Sequence, residues 1–327
     1  MNKHITIIGG SGFIGTNLIK ELSNFDITNL DIKKSILYNH ITTYSDVQFI
    51  ESLTISKNTH TIVLLAAEHK DNITPISRYY DVNVEGIRNV LKKMDDLGIN
   101  NLIFTSSVAI YGIGKKYPSE TTLPDPFNHY GKSKLEAEQL IIDWYNKNPF
   151  NKSVTIIRPT VVFGENNRGN VYNLLKQMNS GKFIMIGNGK NIKSMAYVGN
   201  LATFIKNRII SNEKCLQIFN YTDRPDISMI ELLNLINKRL NLRTKKFFIP
   251  YFIGLFIGYI LDFFSFVFNK NLNISSVRIK KFCKTTHFNS DKAHSIFTPP
   301  YSLYEGIIRT LDHEFTSKKS DVEFFSE

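Results

Sequence analysis

A β-branched run near the start of the chain, Ile5-Thr6-Ile7-Ile8, passes directly into Gly9-Gly10-Ser11-Gly12-Phe13-Ile14-Gly15 and then into a helical pattern. Of everything in the sequence, this order most restricts the fold. A strand that turns through glycine into a helix aims the first helical N–H groups out of the turn. Gly9, Gly12 and Gly15 supply the tight turn, the close backbone approach and the helix packing that a bound pyrophosphate needs, with Phe13 and Ile14 beside it. A glycine turn standing alone could be structural only. Asp31 adds a second constraint: it lies 22 residues after Gly9, at the end of the second strand, where a carboxylate accepts hydrogen bonds from an adenosine ribose and repels a 2′-phosphate. NAD is therefore favoured over NADP as cofactor, with Lys33 and Lys34 as the contrary signal.

The first half of the chain continues this alternation, as a parallel sheet with crossover helices requires. His4 to Ile8, Ile27 to Leu30, Thr61 to Leu65, Asn101 to Phe104 and Val154 to Ile157 read as strands. Ile76, Tyr80, Val84, Ile87, Leu91 and Met94 recur at helical spacing after Pro75, and a second helix is expected from about Lys132 to Tyr145. From Gly164 onward, loops rich in Asn and Gly precede a mixed region, and the tail after Thr316 is polar. The expected fold is α/β: a doubly wound, Rossmann-type parallel sheet in residues 1–165, and a smaller mixed substrate lobe in 166–327 with segments returning to the first domain. With 327 residues, 42% of them hydrophobic, the chain has ample material for a core and is not disordered. Its two cysteines, Cys215 and Cys283, cannot build a disulfide framework or a multi-thiolate zinc site, and no histidines pair at i, i+4, so no metal is expected. The N-terminus enters the first strand without an apolar leader, which puts the catalytic part in the cytoplasm.

Tyr130-Gly131-Lys132-Ser133-Lys134 places a phenol and an ammonium four residues apart, on one face where a helix begins. A phenol is a poor base at neutral pH, but a neighbouring Lys134 ammonium and a positive nicotinamide both favour phenolate, and Tyr130 could then take a proton from a sugar hydroxyl. Upstream, a strand end reads Thr105-Ser106-Ser107. Ser107 is the first candidate to hydrogen-bond the reacting oxygen and Ser106 the second, although hydroxyls at a strand end commonly satisfy backbone alone. His129, next to Tyr130, reads as a solvent-facing loop residue.

These motifs together resemble the extended short-chain dehydrogenase/reductase family, specifically its nucleotide-sugar epimerases, over nearly the whole chain. Asp46-Val47 resembles the pair that holds the adenine, and Leu65-Ala66-Ala67 the strand end beside the cofactor. Tyr79 to Gly86 resembles the following helix with its buried Asn83, and Pro159 falls at the cofactor end of the sixth strand. The resemblance implies that Ser107, Tyr130 and Lys134 are catalytic, with Tyr130 and Lys134 also touching the cofactor. Dehydratases of the family carry an Asp-Glu pair after the strand-end hydroxyl. Val108-Ala109 stands there instead, which leaves an epimerase or a 4-keto reductase. Where UDP-galactose-type epimerases have Arg-Tyr-Phe-Asn, this chain has Arg158-Pro159-Thr160-Val161, so the usual substrate asparagine is missing. Ala66 to Asp71, Asn167 to Leu175, Lys193 to Asn200 and Arg278 to Cys283 resemble a smaller branch. Its bacterial members interconvert N-acetylglucosamine and N-acetylgalactosamine on undecaprenyl diphosphate for O-antigen synthesis. That branch implies Asn170, Lys193 and Arg278 as substrate ligands, the latter two for the diphosphate, and allows a homodimer. A soluble UDP-sugar 4-epimerase or 4-keto-sugar reductase stays open. A scaffold that merely retains NAD is opposed by the intact proton-transfer set.

The chain carries a net charge of +11, which by itself permits nucleic acid, anionic lipid or a phosphorylated substrate as partner. Its location decides against nucleic acid. Between Asn241 and Lys284 there are eight Lys/Arg (Arg243, Lys245, Lys246, Lys270, Arg278, Lys280, Lys281 and Lys284) against one acid, Asp262. They bracket Phe247 to Phe268, 22 residues of which 17 are apolar or aromatic. A membrane span would put Asp262 at mid-depth, at a cost of roughly 2.5 to 3.5 kcal/mol. The expectation is an interfacial or re-entrant helix at the cytoplasmic face of the bacterial inner membrane, held to its anionic surface by the flanking lysines. The competing expectation is a buried helix of the second lobe.

Overall fold

The computed structural model describes the chain except for residues 1–2, 71–72, 182, 212, 243–246, 269–274, 318–321 and 325–327. Strands β1 (His4–Ile8), β2 (Asp26–Asp31), β3 (Thr42–Tyr44), β4 (Thr59–Leu64), β5 (Asn101–Thr105) and β6 (Ser153–Pro159) join a later strand, β11 (Leu216–Tyr221). They form one sheet in the order β11-β6-β5-β4-β1-β2-β3, with every pairing parallel. The near-continuous apolar runs of these strands follow from burial on both faces. Ile5 and Ile7 of β1 pack with Leu18 and Ile19 of α1 (Phe13–Glu21) and Leu201, Phe204 and Ile205 of α6 (Val198–Ser211). On the other face Ile8, Ile62 and Phe104 pack with Ile87, Val90 and Met94 of α3 (Gly86–Leu97) and Ala137 and Ile141 of α4 (His129–Asn146). The short helix α2 (Ser77–Tyr80) reaches α3 through a wide π turn, Asp81–Glu85. The chain leaves β1 toward β2 on one side and crosses to β4 on the other. A crevice therefore opens beyond the carboxyl ends of β1 and β4.

The second apolar cluster of the lobe joins α5 (Asn170–Asn179), α7 (Met229–Arg239) and α11 (Leu303–Leu311) to two strands, β7 (Val161–Phe163) and β10 (Met195–Tyr197). Short strands β8 (Ile184–Ile186), β9 (Ile192–Lys193), β12 (Ile227–Ser228) and β13 (Phe247–Ile249), with α8 (Tyr251–Phe268), α9 (Ser276–Cys283) and α10 (Asp291–Ile296), complete the described elements.

Four sequence expectations are amended. Helix α4 begins at His129 rather than near Lys132, because Asn128 caps it, its Oδ1 accepting from the Gly131 N–H at 2.9 Å. Strand β11 lies in the stretch read only as mixed. The apolar run from Phe247 is not one helix: β13 pairs with β8, and the helix starts only after Pro250. Its 18 residues span about 27 Å, and among the described residues no helix is long and apolar enough to cross a membrane. In the tail, Phe324 docks where the two lobes meet, its N–H donating to the Asn166 carbonyl at 2.8 Å and its ring 6.0 Å from that of Phe13. Arg243, Lys245, Lys246 and Lys270 of the basic flanks, and Asp71, lie outside the described residues.

Candidate active site

At the crevice, Gly9 adopts φ +89°, and a Cβ there would stand 2.4 Å from the Ala66 amide nitrogen, so no other residue fits. Gly12 is the N-cap of α1, with no side-chain cap and no acidic residue in the first turn. Phe13, Ile14 and Gly15 form that turn, and their N–H groups are left for an anion. The Asp31 carboxylate is fixed beside the loop, one oxygen accepting from Ser11 N–H and the other from Lys33 N–H, each at 2.9 Å. Leu65 and Ala66 both donate to the Ile8 carbonyl, at 2.8 and 2.9 Å, which sets Leu65-Ala66-Ala67 across from the glycine turn. Asp46 is held by its N–H donating to Ser52 Oγ, and Val47 is buried against Gly86 with its carbonyl accepting from Asn89. Pro159 ends β6 at the same edge. These residues fit NAD: an open helix terminus for the pyrophosphate, and Asp31 for the ribose hydroxyls.

The candidate proton-transfer residues meet at the end of β5. Ser107 caps a 3₁₀ turn, Val108–Tyr111, with its Oγ accepting from Ala109 N–H at 3.1 Å. Tyr130 stands in the first turn of α4, beside the Ser107 side chain. Ser106 is turned into the core, its hydroxyl buried without a partner, which leaves Ser107 as the better placed of the two candidate hydroxyls. One turn beyond Tyr130, Lys134 is 2% exposed; its ammonium donates to the Thr105 carbonyl at 2.8 Å and lies 4.7 Å from the centre of the Phe104 ring. Burial raises the Tyr130 phenol above its usual range, and the Ser107 side chain opposes this. Burial pushes Lys134 down to about 7, with Glu138 opposing. The expectation that Lys134 acidifies Tyr130 is thus not met by the chain alone: an ammonium so deeply buried holds its own charge poorly.

Asn83 was read from the sequence as a buried helix residue, whereas the parts played by Glu138, Arg158, Tyr111 and Asn220 were not. Asn83, on the π turn, ties the loop after β4 to the catalytic helix, accepting from Glu68 N–H and donating to the Glu68 carbonyl and to Ser133 Oγ. Behind Lys134, Glu138 forms a buried ion pair with Arg158 of β6 at 2.6 Å. Arg158 also donates to the Tyr111 hydroxyl, which donates in turn to Asn220 of β11. The signal for Glu138 was its place four residues after Lys134. Arg158 adjoins an apolar strand run, where an unpaired charge could not stay. His129 is not a loop residue but the first of α4, its Nδ1 3.0 Å from the Tyr80 hydroxyl.

The substrate candidates are not gathered in one place. Asn170 opens α5 and is exposed, and Arg278 is exposed on α9. Lys193, expected as a diphosphate ligand, lies beside α9 and is committed to backbone: its ammonium donates to the carbonyls of Lys281 and Lys284, at 3.1 and 2.6 Å, and burial holds it down at about 8. A cleft of about 800 Å³ opens between the loop before α4 and helices α8 and α9, and there Lys280, Lys281 and Lys284 line the wall where Arg278 was expected.

Residues 5–215 match the model of the NAD dependent epimerase/dehydratase family. The chain belongs to that family. Across the whole of both chains it is 49% identical to N-acetyl-alpha-D-glucosaminyl-diphospho-ditrans,octacis-undecaprenol 4-epimerase of Escherichia coli O157:H7. In fold it is similar to UDP-N-acetylglucosamine 4-epimerase from Bacillus cereus, with a TM-score of 0.74 at 19% identity over 96% of this chain and all of that one. It is also similar to UDP-glucuronic acid 4-epimerase from Bacillus cereus in complex with NAD, with a TM-score of 0.71 at 19% identity over 95% and 98% of the two chains. NAD is the cofactor, in agreement with the Gly9 turn and Asp31.

Proposed function

We propose that this family member is an NAD-dependent 4-epimerase that interconverts N-acetylglucosamine and N-acetylgalactosamine on undecaprenyl diphosphate, for the first sugar of an O-antigen unit. The observation that carries the activity is the convergence of Ser107, at the cap of the 3₁₀ turn, Tyr130, in the first turn of α4, and Lys134, anchored on the Thr105 carbonyl, at the mouth of the dinucleotide crevice. The full-length relative from Escherichia coli O157:H7, which shares 49% identity, supports the substrate by its name. NAD, when bound, supplies a reversible two-electron acceptor for the carbon bearing the C4 hydroxyl. The Tyr130 oxygen removes the C4 hydroxyl proton and later returns it. The Ser107 hydroxyl hydrogen-bonds the C4 oxygen throughout. Lys134, anchored on the Thr105 carbonyl, fixes the geometry below Tyr130. Because proton and electrons come back to the same sugar, the reaction has no net redox.

A Tyr130→Phe protein should fold and bind NAD but lose interconversion by 10²-fold or more, the usual worth of a positioned acid–base group. Incubating the parent with NAD and either N-acetylglucosaminyl diphospho-undecaprenol or UDP-N-acetylglucosamine tests the substrate. Turnover of the nucleotide sugar alone would transfer the reading to a soluble UDP-sugar epimerase.

The proposed location is the cytoplasmic face of the inner membrane, with α8 in the interface. Support comes from the helix itself, which is polarised inside out. Gly254, Gly258 and Asp262, four residues apart, face the protein. A Cβ on Gly254 would meet Ile186 at 2.6 Å, and one on Gly258 would meet Ser276 at 2.9 Å. The Asp262 carboxylate accepts from the Ser276 N–H. Phe252, Phe256 and Phe263 point outward, 71, 66 and 63% exposed. The buried-helix expectation has no support in this arrangement.

A further inference from the structure

We propose that the cleft bounded by Ile113, Phe127, α8 and α9 is a prenyl-diphosphate site. Lys281 and Lys284 take the diphosphate, Ile113, Phe127, Tyr251 and Val277 take the first isoprene units, and the remaining chain runs out over α8. The inference rests on the lipid-linked reading above and deepens it, because it names what the protein uses to tell a lipid carrier from a nucleotide.

Position is the first argument. Phe127 stands three residues before Tyr130, and Ile113 follows the 3₁₀ turn that Ser107 caps. The two arms of this loop are clasped, since Asp125 N–H donates to the Ile110 carbonyl at 2.8 Å. The cleft wall is therefore tied to the proton-transfer pair, and a sugar with its C4 at Tyr130 leaves its anomeric substituent to fill the cleft. At about 800 Å³ the space suits a diphosphate with a short hydrocarbon stem.

The lining chemistry is the second. Among the described residues that line the cleft, none is acidic; Lys280 and Lys281 share one face of α9 with Val277, and Lys284 follows directly as its C-cap. The Lys280 ammonium donates to the Tyr259 hydroxyl at 2.8 Å, which leaves Lys281 and Lys284 as the cations for a dianion. Lys193 is a positioning residue here: by binding the carbonyls of Lys281 and Lys284 from behind, it fixes the end of α9 that carries them.

The third argument is what the cleft lacks. A nucleobase has to be read by hydrogen bonds, and several of the lining groups that could serve are already engaged. The Ile186 carbonyl accepts from the Cys283 thiol, and Gly187 N–H donates to Ile249 of β13. Asn191 donates to the Phe282 carbonyl, and the Asn188 side chain accepts from Lys190 N–H. What faces outward is apolar: Ile113, Phe127 and Val277 are exposed and adjoin Tyr251, from which the open face of α8 continues without a break. Exposed apolar groups around paired ammonium groups fit a prenyl diphosphate and leave a base unread.

The test titrates the NAD-loaded, full-length protein with farnesyl diphosphate, inorganic diphosphate and UDP, followed by calorimetry. Farnesyl diphosphate should bind at least tenfold more tightly than the other two. Lys281→Gln with Lys284→Gln, and separately Val277→Asp, should each weaken it tenfold or more with NAD affinity unchanged, which also reports the fold. UDP binding as tightly as farnesyl diphosphate, or cleft variants that bind it like the parent, would overturn the proposal. The lipid-linked reading fails by a separate outcome, a parent enzyme that turns over UDP-N-acetylglucosamine and not the lipid-linked sugar.

Discussion

Burial, more than spacing, sets the chemistry of individual side chains in this site. Tyr130 and Lys134 were readable from their four-residue interval, but the interval could not reveal that Lys134 is nearly solvent-free and committed to Thr105. The folded pKa of about 7 lies below the ordinary lysine value of 10.5, so the stability linked to Lys134 is fully present above that ordinary value and is lost as pH falls through 7. Lys134→Met should therefore gain stability relative to the parent as pH is lowered from 10 to 6, while activity falls 10²-fold or more; urea denaturation at the two pH values measures the first effect. The neighbouring Arg158 makes the opposite case. Its partner Glu138 is 1% exposed, so Arg158→Met leaves a buried carboxylate unpaired and should destabilise by about 3 to 5 kcal/mol.

At the level of elements, legibility followed the strength of the local signal. The strands around Ile5, Ile62 and Ile103 were readable because both faces are buried and the runs are unbroken. β11 was not, because Gln217 and Asn220 interrupt it, and Asn220 is buried only through bonds to the Pro118 and Asn289 carbonyls and Tyr111 that no sequence shows. Helix α4 was placed late because the capping role of Asn128 was passed over. For α8, composition disclosed an unusual segment, whereas the inward stripe Gly254, Gly258 and Asp262 needed the neighbours Ile186 and Ser276 to acquire meaning. An outward aromatic face predicts membrane binding that survives salt. Apolar burial at about 25 cal/mol per Å² is not screened, while lysine attraction to anionic lipid is. High salt should release only part of the protein from vesicles of anionic phospholipid. Phe256→Ser/Phe263→Ser/Phe264→Ser should move it to the supernatant in flotation assays with NAD binding intact. A parent that stays wholly in the supernatant at low salt would remove α8 from the membrane.

Across the whole molecule, the sheet and the substrate lobe are joined through a buried acid just beyond β11, Asp223. Its carboxylate accepts from Tyr197 N–H at 2.6 Å and from the Tyr221 hydroxyl at 3.3 Å, while its own N–H donates to the Met195 carbonyl, so β10 and β11 hang from one residue. Burial holds this carboxyl up at about 7 against an ordinary 3.8, and the hydrogen bonds from Tyr197, Asn200 and Tyr221 only partly offset that. The sign is opposite to that of Lys134. A raised acid contributes stability that is complete below the unfolded value and is lost as pH rises through the folded one, so between roughly 4 and 7 the parent should weaken with rising pH. Above about 7 the Lys134 contribution begins to return. Two buried groups of opposite charge type, both titrating about 7, therefore give the NAD-free protein a shallow stability minimum near neutrality. Asp223→Asn keeps an acceptor for Tyr197 N–H but cannot ionise, and it should flatten the acid limb alone. Lys134→Met should reduce the alkaline limb without touching the acid limb, the remainder coming from Lys193, which burial holds down at about 8. Urea midpoints for the parent and both variants at pH 5, 7 and 9 decide it: an Asp223→Asn difference from the parent that stays constant between pH 5 and 7 would show that Asp223 ionises normally in the fold.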